Sequence, residues 1–329
     1  MSAQPTTALL TTGGLLLVVL VQVTVMVALA PVVAGLTRQT RARIEGRAGA
    51  GVLQPWRDVR KLLAKRPIRA RGTSWVTLAG PVALLVSGLL VAALVPLVAA
   101  LPLHLVPDDL FVVVSVLLLG TVALALLGLD AGSAFGGMGS SRHMMIAALV
   151  EPTVLVAVYA LSLPVGSSTL SLIVMARRDD PASIASPAGV LAVVALVVVV
   201  LAETGRLPVD NPATHLELTM VHEAMILEYS GRHLAVIEAA ASLQLLLYLS
   251  LILCLFAPWG VAVAGEDIMS YTIALAVYVA KLAIGGLLLA VFETAVAKMR
   301  VFRVSDFLGI ALMLGLLAVL LLFVSRGGG

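Results

Sequence analysis

Long apolar runs separated by short polar stretches make up most of this chain. A bilayer core of about 30 Å takes roughly 20 apolar helical residues to cross. Backbone polar groups in lipid must be satisfied within the segment itself, which selects helices. Eight runs meet that demand: Leu9–Leu36, Ser74–Leu101, Leu110–Leu129, His143–Leu163, Pro187–Glu203, Ala239–Ala257, Tyr271–Glu293 and Phe307–Val324. The pattern predicts an all-α fold: one integral membrane domain over residues 1–329, a polytopic bundle of about eight transmembrane helices. The first run has no preceding charge and is too long for the apolar part of a signal peptide, so it is expected to stay in the protein.

Composition sharpens this picture. Of 329 residues, 61% are hydrophobic and 12% charged, whereas a soluble domain carries roughly 25% charged residues. The single Cys254 leaves no room for an internal disulfide, a cysteine-ligated iron–sulfur cluster or a thiolate-bound nickel–iron site within the chain.

The basic residues are lopsided. Eleven lie between Leu36 and Thr73, and Arg142, Arg206, Arg232, Lys298, Arg300 and Arg303 fall in loops on the same side. Arg177, Arg178 and Arg326 are on the other side, and Lys281 is inside a run. Positively charged loops stay cytoplasmic, so loops 37–73 and 204–232 are expected in the cytoplasm, with the N-terminus outside. No internal repeat or pair of interrupted helices of the secondary-transporter kind is evident.

Within the first loop, Trp56, Val59, Leu62 and Leu63 recur at helical spacing among Arg57, Arg60, Lys61, Lys65 and Arg66, ahead of Pro67. This spells a short basic amphipathic helix, suited to the membrane surface or to a soluble partner. The glycines around Gly46, Gly49 and Gly51 lack the Lys-Ser/Thr of a phosphate-binding loop, which excludes nucleotide binding. No nucleic-acid partner is expected.

Ionisable groups inside the apolar runs are costly and normally face the bundle interior or water. Glu151 is one, and Pro152 beside it frees the Ala148 carbonyl. His143 is a candidate of the same kind, or else a helix cap. The segment from Glu203 to Gly231 is the richest in acids, with Glu203, Asp210, Glu217, Glu223 and Glu228 against Arg206. Crowded carboxylates raise one another's proton affinity, which makes them plausible carriers. Asn211-Pro212 reads as a helix start and Gly231 as its stop, with Glu217 and Glu228 within about 20° on that helix. Its apolar residues form no stripe, so it is expected to lie among other polypeptide. A metal held by His215 and His222 would match no familiar spacing, and none is expected. Lys281, Glu238 and Glu293 complete the buried set, with one ion pair expected among them.

At the level of motifs, the chain resembles a known family. Gly46-Arg47, Gly49, Gly51, Leu53-Gln54-Pro55, Arg57-Asp58 and Lys61-Leu62 are similar to the first cytoplasmic loop of the complex I membrane subunit that seats the peripheral arm. Glu203-Thr204, Arg206, Pro208, Asp210, Pro212, Glu217 and Glu228-Tyr229-Ser230-Gly231 resemble that subunit's acidic loop. His215 to Met220, His222 to Met225, Gly132 to Arg142 with Glu151-Pro152, and Ala297 to Gly309 look closer to one branch. That branch is the membrane subunits of group 4 nickel–iron hydrogenases, of the formate hydrogenlyase and hydrogenase-4 type. His143 and His233 depart from its pattern.

The resemblance implies a membrane-anchor and coupling subunit without a redox centre of its own, in the cell's cytoplasmic membrane. Its partners would be a hydrogenase-like large subunit and an iron–sulfur small subunit, which would hold the nickel–iron centre and clusters, together with antiporter-like membrane subunits. Arg47, Arg57, Arg60, Lys61 and Arg206 would dock the peripheral arm. Glu151, Glu203, Asp210, Glu217, Glu223, Glu228, Glu238, Lys281 and Glu293 would carry H⁺ or Na⁺. A quinone-binding complex I subunit and a stand-alone ion transporter are the alternatives.

Overall fold

The computed structural model describes residues 12–97, 99–100, 108–180, 185–210, 220–263, 267–297, 299 and 301–327. Helices dominate: α1 (Thr12–Ile44), α2 (Gln54–Leu63), α3 (Val76–Leu94), α4 (Leu110–Asp130), α5 (Ala134–Ser162), α6 (Leu170–Asp179), α7 (Pro187–Glu203), α8 (His222–Ile226), α9 (Gly231–Phe256), α10 (Ile268–Ala295) and α11 (Val301–Gly327). The two-residue strands β1 (Ala99–Ala100) and β2 (Ala262–Val263) pair in parallel.

Among the described residues, α1, α3, α4, α5, α9, α10 and α11 are long and apolar enough to cross a bilayer. The chain is thus a multi-pass helical membrane protein. The eighth expected span, α7, is a 17-residue helix, roughly 25 Å long at 1.5 Å per residue. It ends on Glu203, only 5% exposed, with Thr204 as its C-cap.

Helix boundaries follow local chemistry. Ser186 caps α7 by accepting from the Gly189 amide at 3.1 Å, with Pro187 in the first turn. Asp109 caps α4 by accepting from the Phe111 amide at 2.8 Å. The start of α3 is capped from a distance: the Asp130 carboxylate, at the end of α4, accepts from the Ser74 and Thr77 amides at 3.0 Å and from both hydroxyls.

Helix α1 runs on to Ile44, eight residues past Leu36 into the expected loop, and α3 stops at Leu94, seven short of Leu101; two other boundaries differ through local chemistry. Helix α5 begins at Ala134, nine residues before the expected His143, because Ser133 caps it. Gly136 and Gly139, ahead of the expected span, are helical and let α4, α5 and α8 approach closely: a Cβ on Gly139 would fall 2.9 Å from the Val221 carbonyl oxygen. The second is Gly231, which opens α9 rather than ending a helix. Its φ of 54° favours glycine, and a Cβ there would lie 2.6 Å from the Arg66 carbonyl oxygen.

The loops fall at two ends. At one end, Arg232 Nε donates to the Leu63 carbonyl at 3.2 Å, and the Ile68 amide donates to Ser230 Oγ at 2.9 Å. Tyr229 there donates to the Leu127 carbonyl at 3.1 Å, and burial pushes its phenol up to about 12, which keeps it a donor. At the other end, Leu170 N donates to the Asp108 carbonyl at 2.7 Å, and Arg178 donates to the Val261 carbonyl at 2.9 Å. The grouping is the one an even number of crossings demands.

Two predictions follow from this arrangement. Single cysteines at Asp179 and Asp267 should react with an impermeant maleimide added outside intact cells, whereas one at Gly49 should react only after lysis. The native Cys254 is buried and gives no background. Gly231→Ala should lower thermal stability in detergent by about 1–3 kcal/mol, since it strains the backbone and crowds Arg66.

Candidate functional site

The site begins with polar groups that the bundle cannot hide. The Glu203 carboxylate accepts from Thr121 Oγ1 of α4 at 3.1 Å, while its Oε1 has no hydrogen-bond partner among the described residues. Tyr248 of α9 and Glu151 of α5 stand within electrostatic reach of it. His143, 5% exposed on α5, bonds the Thr121 backbone and faces His222, and its Nε2 is also unpartnered among the described residues. Two unsatisfied polar atoms beside a carboxylate pair make a spot that favours water or a mobile proton.

Nearer the loops, Arg206 Nη1 pairs with Glu293 Oε1 at 2.7 Å and bonds Thr37 Oγ1 at 3.4 Å. Arg41 Nη1 reaches Glu293 Oε2 at 3.9 Å. Asp210, 3% exposed, accepts from the Val221 and His222 amides, both at 3.2 Å, and so sets the start of α8. These groups surround a cavity of ≈ 120 Å³ that includes Arg38, Arg41, Asp210, His222, Glu223, Glu238 and Glu293. A wider cavity of ≈ 600 Å³ shares Arg38, Arg41, Glu223, Glu238 and Ser242 with it and extends to Arg47, Pro55, Asp58 and Leu62. Together they form a charged passage from the loop end toward Glu203.

The fold therefore assembles six of the nine expected ion-path residues. Glu151 and Glu203 lie in the deep cluster, while Asp210, Glu223, Glu238 and Glu293 line the passage. Glu217, like His215, lies outside the described residues. Glu228 is exposed, outside the lining of either cavity. The helix expected to align Glu217 with Glu228 is replaced, over residues 220–230, by the single turn α8. As expected, that stretch is packed among other polypeptide, with Met220, Val221, Met225 and Tyr229 buried.

Lys281 lies at the opposite end, where Nζ donates to the Ala257 and Trp259 carbonyls and sits 5.8 Å from the Trp259 ring. Those carbonyls, left open where α9 ends, draw the ammonium away from the acids. The ion pair expected among Lys281, Glu238 and Glu293 is accordingly Glu293 with Arg206. That pairing also takes Arg206 off the outer surface, whereas Arg47, Arg57, Arg60 and Lys61 are exposed. Thr121 and Tyr248 escaped the sequence reading. Each is one of several polar side chains in its run, so nothing in the sequence set it apart.

Removing one partner of a buried pair leaves the other charge stranded. Arg206→Met should destabilise the protein by about 3–5 kcal/mol, whereas Arg206→Met with Glu293→Met should recover most of the loss. Thermal unfolding in detergent measures both.

With this geometry in hand, comparison with known proteins is informative. Residues 16–324 match the family model for NADH dehydrogenase. Formate hydrogenlyase subunit 4 of Escherichia coli (strain K12) is 33% identical over 285 residues, covering 85% of this chain and 90% of that protein. Hydrogenase-4 component C of the same organism is 31% identical over 251 residues, 75% of this chain and 77% of that one. NADH-quinone oxidoreductase subunit 8 of Rhodothermus marinus is 30% identical over 191 residues, 55% of this chain and 53% of that one. A chain of the membrane-bound sulfane sulfur reductase, an archaeal respiratory membrane complex, superposes with a TM-score of 0.80 at 18% identity, over 94% of this chain and 99% of that one. The last likeness speaks for the fold. The family match over nearly the whole length, joined to a relative one-third identical, means that this chain belongs to the NADH dehydrogenase family.

Proposed function

We infer that this chain is the membrane-anchor and coupling subunit of a multisubunit oxidoreductase of the nickel–iron-hydrogenase type, related to complex I. The observation that carries the reading is the pair of charged cavities that runs from the loop end to Thr204, the residue after Glu203, in a chain with one buried cysteine. Electron-carrying centres then belong to partners: a nickel–iron centre in a hydrogenase-like large subunit and clusters in an iron–sulfur small subunit. Both identity and coverage are higher for the formate hydrogenlyase and hydrogenase-4 relatives than for the quinone-linked one, which supports this branch.

In this reading the peripheral arm seats over the 37–73 loop in the cytoplasm, with Arg47, 69% exposed, and Lys61 facing it. Arg57 and Arg60, expected to share that work, lie on the other flank of α2 with Leu53, Trp56 and Leu63. Charge developed at the arm shifts protons along Glu223, Glu238 and Asp210 to Glu203 and Glu151. From there, antiporter-like membrane subunits move H⁺ or Na⁺ across the cytoplasmic membrane. A quinone-reducing role is the second reading, favoured by the similarity to NADH-quinone oxidoreductase subunit 8.

Purification in mild detergent, with identification of co-purifying subunits and metals, tests the assignment. A large subunit containing nickel is the expected result. Recovery of the chain alone would sink it in favour of a transporter, and flavin-containing quinone reductase partners would favour the second reading. Within the assembled complex, Glu151→Gln and Glu203→Gln keep size and hydrogen bonding but lose the titratable proton. Each should cut ion translocation in vesicles by at least about tenfold, while the redox reaction continues. Asp267→Asn, at the opposite end, should be silent. Arg47→Glu with Lys61→Glu should release the peripheral subunits to the soluble fraction and leave this chain in the membrane.

A further inference from the structure

One flank of α2 is not used by the function proposed above. Leu53, Trp56 and Leu63 are 54%, 37% and 47% exposed. With Arg57, Val59 and Arg60 they line a groove of ≈ 430 Å³. At 100° per residue, Leu53, Trp56, Arg60 and Leu63 fall within about 80° of arc, with Arg57 at its edge. Large apolar side chains at this density on a soluble face would be unusual, and they call for a cover.

The depth of α2 identifies the cover. Trp56 Nε1 donates to the Ala28 carbonyl at 3.1 Å, in the middle of membrane helix α1. Ala28 lies ten residues before Arg38, the first basic residue of α1, or roughly 15 Å along the helix. The α1 surface beside it is apolar and exposed at Leu20, Val21 and Val27. Gly35 lets the backbone at Val52 press directly on α1, and Trp56 reaches from there about 10 Å further along α1 to Ala28. The groove is therefore continuous with a lipid-facing surface, and a water-soluble partner would have to enter the membrane to reach it. Neither Arg57 nor Arg60 has an ion-pair partner among the described residues. A guanidinium matches phosphate oxygens in two-point geometry, and long basic side chains on such a helix reach up to the headgroups.

The geometry points to a binding site for an anionic glycerophospholipid on this flank, its phosphate held by Arg57 and Arg60 and an acyl chain laid against Leu53, Trp56 and Leu63. Val59 lines both this groove and the ≈ 600 Å³ cavity. The lipid thus braces a wall one helix thick between the bilayer and that cavity.

The test uses the full chain with Trp75→Phe and Trp259→Phe, which leaves Trp56 as the one indole of the three in the sequence. In phosphatidylcholine nanodiscs, acyl-brominated phosphatidylglycerol should quench Trp56 at mole fractions about tenfold lower than acyl-brominated phosphatidylcholine. Arg57→Gln with Arg60→Gln should bring the two curves together. Arg57→Lys with Arg60→Lys keeps the charge and should retain most of the preference, which separates loss of the site from misfolding. Equal quenching by the two lipids in the unaltered groove overturns the proposal, as does a preference that survives the Gln changes. Absence of quenching by either lipid would place Trp56 outside the acyl region and overturn it too. Loss of the preference in millimolar inorganic phosphate would assign the two arginines to a soluble anion instead. None of these outcomes touches the docking role of Arg47 and Lys61, which is read from release of the peripheral subunits.

Discussion

Isolated charge cannot be left in lipid, and most of what distinguishes this bundle from a plain stack of apolar helices follows from that constraint. Glu293 is 4% exposed and ionisable, so it needs a cation within reach. Arg206 meets that need at 2.7 Å, which pulls the chain after α7 back into the bundle. Asp210 then lies inside, where its carboxylate organises the start of α8 through two amides. Helix α7 can be short because the loop that follows it is itself part of the interior. Polar cavities open where these groups meet, since the acids and arginines leave room that apolar side chains do not fill.

Much of the architecture was legible from the amino-acid order because spanning a bilayer constrains length and polarity together. Each of the eight apolar runs became a helix, and the basic loop became α2 within a few residues of its expected limits. Glycine misled the reading in two places. The run from Gly132 to Gly139 and the single Gly231 look like breakers in water. Here Gly136 and Gly139 of the first serve close packing between α4, α5 and α8, and the second serves an approach of backbone to backbone. Sequence records that a residue is small, but the neighbour it makes room for is set by tertiary structure.

The site was legible in its chemistry and less so in its grouping. Of the acids placed in or beside apolar runs, Glu203, Asp210 and Glu293 are buried, Glu151, Glu223 and Glu238 are half-buried, and Glu228 is exposed. Lys281 shows the limit: its run of origin says that it is buried, yet only the end of α9 explains why it turns toward the carbonyls of Ala257 and Trp259. Thr121 shows the converse. A hydroxyl in a membrane helix usually bonds its own backbone, and here Thr121 also holds Glu203.

The 37–73 and 204–232 loops meet largely through the main chain. Arg232 bonds the Leu63 carbonyl, Ser230 bonds both the amide and the carbonyl of Ile68, and Gly231 lies against the Arg66 carbonyl. Contacts of this kind are blind to the side chains of residues 63–68 but sensitive to how many residues separate them. The stretch can therefore drift in sequence over evolutionary time while its length stays fixed. A one-residue insertion there would slide every carbonyl past its partner at once, whereas most substitutions would pass unnoticed.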